Sequence, residues 1–472
     1  MAYMGRANRK GMGMAGAATG MMTLEQLGAA VAAGEIDTVI AAQVDMQGRL
    51  MGKRFQAAFF LDHAWRETHA CNYLLAADIE MVPVPGFTAT SWAAGYGDYT
   101  MRPDMTTLRR IPWLPGTALV LADVLDHHGE AEIAHAPRSI LKRQVARVAD
   151  LGLKPLMASE LEFYLFRESF EAADGQGYRG LSTFSSYNQD YHLFQATKEE
   201  SIMHALRVGL EGAGVPVEST KGEADAGQGE LNLRHADALA MADRHVIAKQ
   251  AAREIAWAEG RALTFMAKWS TSHAGSSCHV HQSLVEVAGG RPVFHDPADA
   301  SGMSAVFRHY LAGLLAHAGA ITLFLAPYVN SYKRFQAGTF APTKAVWSPD
   351  NRTAGYRLCG AGGRSIRVEC RVGGADLNPY LAYAAMLAAG LDGIARELPL
   401  EPAFEGDAYG GEGRAIPATL REAIAATEAS AMLRDAFGSG VVDHYVHAAR
   451  WEQAESDRTV TDWDLRRGFE RA

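Results

Sequence analysis

Four short stretches place ionisable side chains two residues apart, the spacing that puts them on one face of a β-strand. Glu160 and Glu162 alternate with Leu161 and Phe163, and His279, His281 and Ser283 alternate with Cys278, Val280 and Gln282. Arg367, Glu369 and Arg371 alternate with Val368 and Cys370, and Glu230, Asn232 and Arg234 alternate with Leu231 and Leu233. Any one of these strands alone is an amphipathic edge with a wetted face, the ordinary antiparallel pattern. Together they are different, because wetted faces usually carry Lys, Thr, Ser and Gln, whereas these carry mostly Glu, His and Arg. Glu223 lies seven residues before Glu230, across a turn containing Gly227, and joins the set by proximity alone. If the strands are neighbours in one sheet, five glutamates crowd a concave surface, where they repel and take up protons unless cations intervene. Hard divalent ions held through oxygen meet that demand, and Mg²⁺ or Mn²⁺ tolerates one imidazole.

A cationic cluster follows: Lys333, Arg334, Arg352, Arg357, Arg364, Arg367 and Arg371. Pro342, Pro349, Gly355, Gly360, Gly362 and Gly363 put much of it on loops. Arginines beside a carboxylate–metal face suit phosphoryl transfer, in which positioning and charge neutralisation carry most of the rate. No Walker A sequence occurs, so a P-loop is excluded as the nucleotide site.

The elements that must hold these residues can be read coarsely. Residues 37–44 and 50–55 form two strands joined by a turn at 45–48, and 119–124 is a third strand. Residues 71–115, dense in Gly, Pro and aromatics, are expected to be irregular. Pro137 opens a helix to about residue 150; residues 236–259 form a long helix, and 417–437 and 443–455 are helical. The uncharged stretch 310–332 contains Gly313, His317, Gly319, Pro327 and Asn330, which makes it a buried helix with an irregular exit and not a membrane span. Strands and helices do not alternate strictly, so the class is α+β, with a small domain to about residue 130 ahead of a large one. Residues 1–22 are expected to be a disordered extension; their Gly11, Gly13 and Gly16 match a dinucleotide fingerprint only formally, with no strand before them.

Composition narrows the function. The 472 residues are 48% hydrophobic and 21% charged, with a net charge of −9 and no polybasic segment, so nucleic-acid and membrane partners are not expected. Cys71, Cys278, Cys359 and Cys370 contain no CxxC pair, which points to reduced thiols in a cytoplasmic protein.

From about Thr23 onward the sequence resembles the glutamine synthetase family. The stretches that carry the resemblance are Ser159 to Phe163, Glu223 to Glu230 with its Gly227-Gln228-Gly229 core, Gly275 to Ser283, Asn330 to Arg334, Asn351-Arg352, Arg367 to Arg371, and Asn378 to Leu381. The resemblance implies a β-grasp N-terminal domain over 23–130. After it would come a catalytic domain over 131–472, with a curved antiparallel sheet flanked by helices. It also implies rings of subunits, a homododecamer of two hexamers, with each active site between neighbours. By the same resemblance Glu162, Glu223 and Glu230 bind one metal, and Glu160, His279 and Glu369 bind the metal that holds the nucleotide phosphates. Gly275, Arg334 and Arg371 would hold glutamate, and Glu218, His281, Ser283 and Arg367 would contact ATP. Arg352 and Arg357 would stabilise phosphoryl transfer, with two or three Mg²⁺ or Mn²⁺ per site. The implied reaction is a two-step ligation: ATP phosphorylates the γ-carboxylate of glutamate, and an amine then displaces the phosphate.

The chain departs from the family where ammonium would bind. An aspartate of the small domain is replaced by Asn72, a flap glutamate by Phe340, and a loop asparagine by Ala274. Without two anionic partners, a small cation is captured poorly. An amide and an aromatic suit a larger amine with an apolar body, as in the branch that makes γ-glutamylpolyamines and γ-glutamylethanolamide. No unassigned acidic residue stands near Asn72 or Phe340 in the sequence to receive a second ammonium, whereas Asn72 or Tyr73 could hydrogen-bond the hydroxyl of ethanolamine. The expectation is therefore a γ-glutamylethanolamide synthetase. A glutamine synthetase using ammonia, a γ-glutamylpolyamine synthetase and a non-enzymatic homologue are the alternatives, the last disfavoured by the intact ligand positions. Tyr409 sits near a place that is adenylylated in some bacterial relatives, but it reads as an ordinary loop tyrosine.

Overall fold

The structure is a computed structural model that describes residues 20–472. The expectation of a disordered extension falls mostly on residues 1–19, outside the described residues. The described chain begins already paired: Gly20 O accepts the Arg110 N–H at 2.8 Å, and Met22 N donates to Leu108 O at 2.9 Å.

The N-terminal part is a six-stranded sheet of β1 (Thr38–Val44), β2 (Leu50–Gln56), β3 (Thr68–Cys71), β4 (Asp98–Pro103), β5 (Arg109–Arg110) and β6 (Thr117–Leu125). Its order is β2-β1-β6-β4-β3, with β5 also on β6; the central β1–β6 pair is parallel and the others are antiparallel. The turn between β1 and β2 is held by Asp45, whose Oδ1 accepts the Gln47 and Arg49 N–H groups at 3.0 and 2.8 Å, with Gly48 at φ +79°. Within 71–115, expected to be irregular, β4 forms despite its Gly-rich approach, because it is sandwiched between β3 and β6.

The larger part is built on a nine-stranded sheet: β7 (Leu153–Leu165), β8 (Val217–Gly222), β9 (Gln228–Leu233), β10 (Ala236–Asp237), β11 (Leu263–Thr264), β12 (Cys278–Glu286), β13 (Trp347–Pro349), β14 (Tyr356–Cys359) and β15 (Arg367–Cys370). The order is β13-β14-β15-β12-β7-β9-β8, with β10 and β11 also on β7. The sheet is antiparallel, as expected, except at its edge, where β13 runs parallel to β14. On the buried face Leu161, Phe163 and Leu165 of β7, Val280 and Leu284 of β12, and Val368 of β15 are all at most 1% exposed. Each such side chain contributes about 1.5–3 kcal/mol by leaving water.

Helices cover that face. Pro137–Ala149 and Ala238–Ala258 lie against β7, and Pro379–Ala395 packs on Pro137–Ala149 and on Ala305–Ala316. The uncharged stretch becomes Ala305–Ala316, Ala318–Leu325 and a 3₁₀ turn, Val329–Arg334, the expected helix with an irregular exit. Among the described residues no helix is long and apolar enough to cross a membrane.

Two latches join the parts. Asn378 caps the helix Pro379–Ala395 through its Oδ1, and its Nδ2 donates to Asp45 O and Met46 O at 3.2 and 3.0 Å. Arg138, buried, donates to Asp104 at 2.7 Å, Asp123 at 2.5 Å and Asp243 at 3.2 Å. A buried network of this kind costs about 3–5 kcal/mol to break from one side. One core consequently runs from Val44 and Leu121 to Ala248 and Leu387, while a smaller core under the helix Leu24–Ala32 fills the other face of the N-terminal sheet.

Candidate active site

The four strands chosen from the sequence are consecutive neighbours. In the ladder Glu160 faces His279 across β7–β12 and Glu162 faces Glu230 across β7–β9, while His281 faces Glu369 and Arg357 faces Glu369. Because the apolar alternates are committed to the core, register sends every one of these polar side chains into the cleft. Glu223 follows β8 directly, and the β8–β9 pairing returns it beside Glu230.

Two triads result: Glu160, His279 and Glu369, and Glu162, Glu223 and Glu230, each with ligand atoms within 4.8 Å of one another. In the first, His279 Nδ1 stands 3.1 Å from Glu160 and 3.6 Å from Glu369. His281 Nε2 stands 2.6 Å from the other Glu160 oxygen, and Arg367 Nε stands 3.2 Å from its Nδ1. Glu369 accepts from Arg371 at 2.5 Å and Arg357 at 3.0 Å.

The electrostatics differ between the triads. Burial would raise Glu160, but hydrogen bonds and charge from His279 and His281 outweigh it and hold the carboxyl far below its usual range. Glu369 is likewise buried, yet His279, Arg371 and His281 bring it to about 2. In the second triad burial comes first and Glu223 next, pushing Glu230 up to about 8; Glu162 is also driven up by burial and by both partners. For Glu223, burial is outweighed by Lys221, which pairs with it and lowers it.

The donor set tests which ions fit. Five carboxylates and one imidazole are hard, oxygen-rich ligands suited to Mg²⁺ or Mn²⁺ and ill suited to soft metals. Three glutamates that cannot all stay ionised side by side are what a divalent cation would relieve. The residues present therefore fit the metals.

Beside the triads lies a cavity of about 610 Å³ whose wall includes Gly275, Arg371, Arg352, Arg357 and Phe340. Arg334 lies behind it, 2% exposed, donating to Ser277 Oγ at 3.0 Å and to Val372 O. Gly275 makes room for it: a Cβ there would stand 2.3 Å from Arg334 Cγ. Arg371 Nε donates to Arg352 O at 3.2 Å. Phe340 occupies a left-handed backbone position, φ +57°, and is 58% exposed. A second cavity of about 400 Å³ is lined by Glu218, His281, Ser283 and Arg367, all four candidate ATP contacts. Glu160, Glu218 and Asn232 line both cavities, so the two adjoin at the Glu160 triad.

Asn72 is the exception. It stands in the short 3₁₀ turn Asn72–Leu75 of the N-terminal part, its Oδ1 accepts from Thr90 Oγ1 at 2.5 Å, and it lines neither cavity of its own chain. Other residues were not foreseen as part of the site. Ser277 N donates to Glu162 at 2.7 Å, and Gln228 Nε2 bridges Glu162 and Gly275 O at 3.2 and 3.0 Å. Lys221 pairs with Glu223 and with Asp190 at 3.1 Å, and Tyr191 lies under its ammonium, 4.5 Å to the ring centroid. Asp190 also corrects an expectation: an unassigned acidic side chain does share the cavity with Phe340, though Lys221 engages it. Lys221 could have been noticed, since it sits at i−2 from Glu223; Asp190 and Tyr191 come from a distant loop with no signal of their own.

The glutamine synthetase catalytic domain matches residues 134–468. The chain belongs to the glutamine synthetase family. It carries that family's catalytic ligase domain and is an ATP-dependent glutamate–amine ligase of this family. It is 47% identical over 449 residues to the gamma-glutamylethanolamide synthetase GlnA4 of Streptomyces coelicolor, covering 95% of this chain and 96% of that one. It is 36% identical over 436 residues to the glutamate–isopropylamine ligase of a Pseudomonas species, covering 92% and 95%. Among solved structures, a GmaS complex with ADP superposes with a TM-score of 0.82 at 27% identity, covering 94% of this chain and 99% of the other.

Proposed function

We propose that this chain joins the γ-carboxylate of glutamate to ethanolamine, with ATP as the energy source. The observation that carries the reading is Phe340: an exposed aromatic in the wall that Arg371 and Gly275 share, at the place of a flap glutamate. The likeness to relatives that act on ethanolamine and isopropylamine supports an organic amine over ammonia.

In this reading Glu218, His281, Ser283 and Arg367 seat the nucleotide in the smaller cavity, its phosphates reaching the Glu160 triad where the cavities meet. Arg334 and Arg371 orient glutamate, with Gly275 leaving the space that Arg334 fills. Two or three Mg²⁺ or Mn²⁺, held by Glu162, Glu223 and Glu230 and by Glu160, His279 and Glu369, would supply charge neutralisation at the phosphates. Arg357, anchored on Glu369, and Arg352 lie along the cavity wall where they can offset charge on the transferring phosphoryl group. The γ-glutamyl phosphate then meets the amine, whose attack expels inorganic phosphate and leaves the amide. Phe340 covers the attack site with an apolar ring, which favours an amine with a carbon body and keeps water from the acyl phosphate.

A polyamine fits less well, because Asp190, the acidic side chain of the cavity that has no other assigned role, is already engaged by Lys221. The same reading has the enzyme working in the cytoplasm as a dodecamer of two hexameric rings, Asn72 of one subunit facing a neighbour's cleft. Phosphate release with glutamate, ATP and a panel of ammonia, ethanolamine, isopropylamine and putrescine tests it. The highest kcat/KM is expected for ethanolamine, and ammonia in first place would overturn the reading.

A further inference from the structure

Lys221 is a cation fixed in the wall of the larger cavity. In the β8–β9 ladder it stands opposite Glu230, which in turn stands opposite Glu162 on β7, so register turns all three side chains into the cleft. An ammonium has three N–H groups, and the structure offers this one three acceptors: Asp190 Oδ1 at 3.1 Å, Gly222 O at 3.2 Å and the Glu223 carboxylate. The Tyr191 ring centroid lies 4.5 Å from the nitrogen and adds a further hold. Of these contacts only the one to Glu223 involves a metal-triad residue. The loop that supplies Asp190 and Tyr191 is itself anchored. Gln189 is fully buried and donates from Nε2 to Gln228 O at 2.6 Å, and Asn188 Nδ2 donates to Ala224 O at 3.1 Å. Gly222 makes room for that loop, since a Cβ there would stand 2.6 Å from Gln189 O. Asp190 and Lys221 are thereby held against each other on the wall that also includes Phe340.

We propose that Lys221 determines specificity for the amine: its ammonium occupies the seat on Asp190 that the second ammonium of a diamine would need, and so restricts the enzyme to amines with a neutral tail. The inference rests on the reading that an organic amine enters this cavity, and deepens it. A diamine arriving beside Asp190 meets a fixed cation whose charge repels its own and whose N–H groups are already satisfied. Desolvating a second ammonium there costs more than a shared carboxylate offsets. A hydroxyl or methyl tail carries no charge and meets no such repulsion. With Lys221 made neutral, Asp190 is left as a carboxylate in the cavity wall able to take a charge-assisted hydrogen bond from the diamine.

The test measures kcat/KM for putrescine and for n-pentylamine, in which a methyl group replaces the second ammonium, in the wild type and in Lys221→Met. The wild type should treat the two alike or favour n-pentylamine. The ratio of putrescine to n-pentylamine should rise at least about tenfold in the variant, the worth of one charge-assisted bond. Lys221→Arg, which keeps a cation on Asp190, should hold the wild-type ratio, and adding Asp190→Asn to Lys221→Met should remove the gain. Lys221→Gln gives the same reading where the methionine variant does not fold. A wild type that already favours putrescine, an unchanged ratio in the variant, an equal loss for both amines as from a role in metal binding alone, or a gain that survives Asp190→Asn overturns the inference. A wild type that acts on ammonia alone defeats the functional reading and this inference with it. A wild type that prefers ethanolamine with a ratio indifferent to Lys221→Met defeats this inference alone.

Discussion

Replacing Gly275 with alanine would put a Cβ 2.3 Å from Arg334 Cγ and 2.9 Å from Ala267 O. Both neighbours are held. Ala267 O accepts the Ser276 N–H at 2.9 Å, and Arg334 is 2% exposed with its guanidinium donating to Ser277 Oγ and Val372 O. Overpacking at a rigid spot costs about 1–3 kcal/mol, and the long Arg334 side chain is the softer of the two neighbours. If about 2 kcal/mol of that appears as a displaced guanidinium, glutamate binding weakens about thirtyfold. The assay is phosphate release at saturating ATP and amine, with glutamate varied. KM for glutamate should rise by about that factor, while the thermal shift on adding Mn²⁺ persists, because the atoms nearest the new methyl group belong to Arg334 and Ala267, not to a triad. A folded Gly275→Ala enzyme with the wild-type KM for glutamate would refute the assignment of Arg334 to that substrate.

Three further outcomes are expected. Phe340→Glu should raise kcat/KM for ammonia by about ten- to a hundredfold, the worth of one charge-assisted bond, and lower it for ethanolamine; no change in either would discredit the flap account. Chelation with EDTA should lower the melting temperature and Mn²⁺ should restore it, since ligand at about a hundred times Kd adds roughly 2.7 kcal/mol, and Glu230→Gln should shrink the effect. The pH dependence has a defined sign: His135, stacked on His444 at 4.2 Å, is lowered by burial to about 4 from an unperturbed 6.5, and burial also lowers His444. Between pH 6.5 and 4 the unfolded chain takes up protons that the folded one refuses, so stability falls as pH drops through that window, by up to about 3 kcal/mol from His135. His135→Phe keeps the stack and should flatten the fall, read as melting temperature at pH 7, 6 and 5; parallel curves for both proteins would contradict the assignment.

Period-two alternation made most of the metal face legible, because a strand buried on one side must turn its other residues into the cleft. Glu160, Glu162, Glu230, His279 and Glu369 followed from that rule alone. Glu223 did not, since it lies just past the end of β8 and is brought in by the β8–β9 pairing. Lys221 sits in a strand whose Glu218 and Ser219 are exposed, where lysine ordinarily means solvent. The reason for Gly275 is a close approach to Arg334, invisible until the 3₁₀ turn Val329–Arg334 delivers that side chain. Asn378 carried the family resemblance, but its double task as helix cap and latch onto the 45–48 turn emerges only when the two sheets are seen together. Tyr409 reverses its sequence reading because loop packing, which leaves no periodic trace, buries its hydroxyl.

The preference of the amine pocket is tested most directly by competition within one reaction. Glutamate and ATP are supplied with equal free-base concentrations of ammonia and ethanolamine, and the two amides are quantified by mass spectrometry. γ-Glutamylethanolamide in clear excess is the expected product ratio; glutamine in excess would contradict the account.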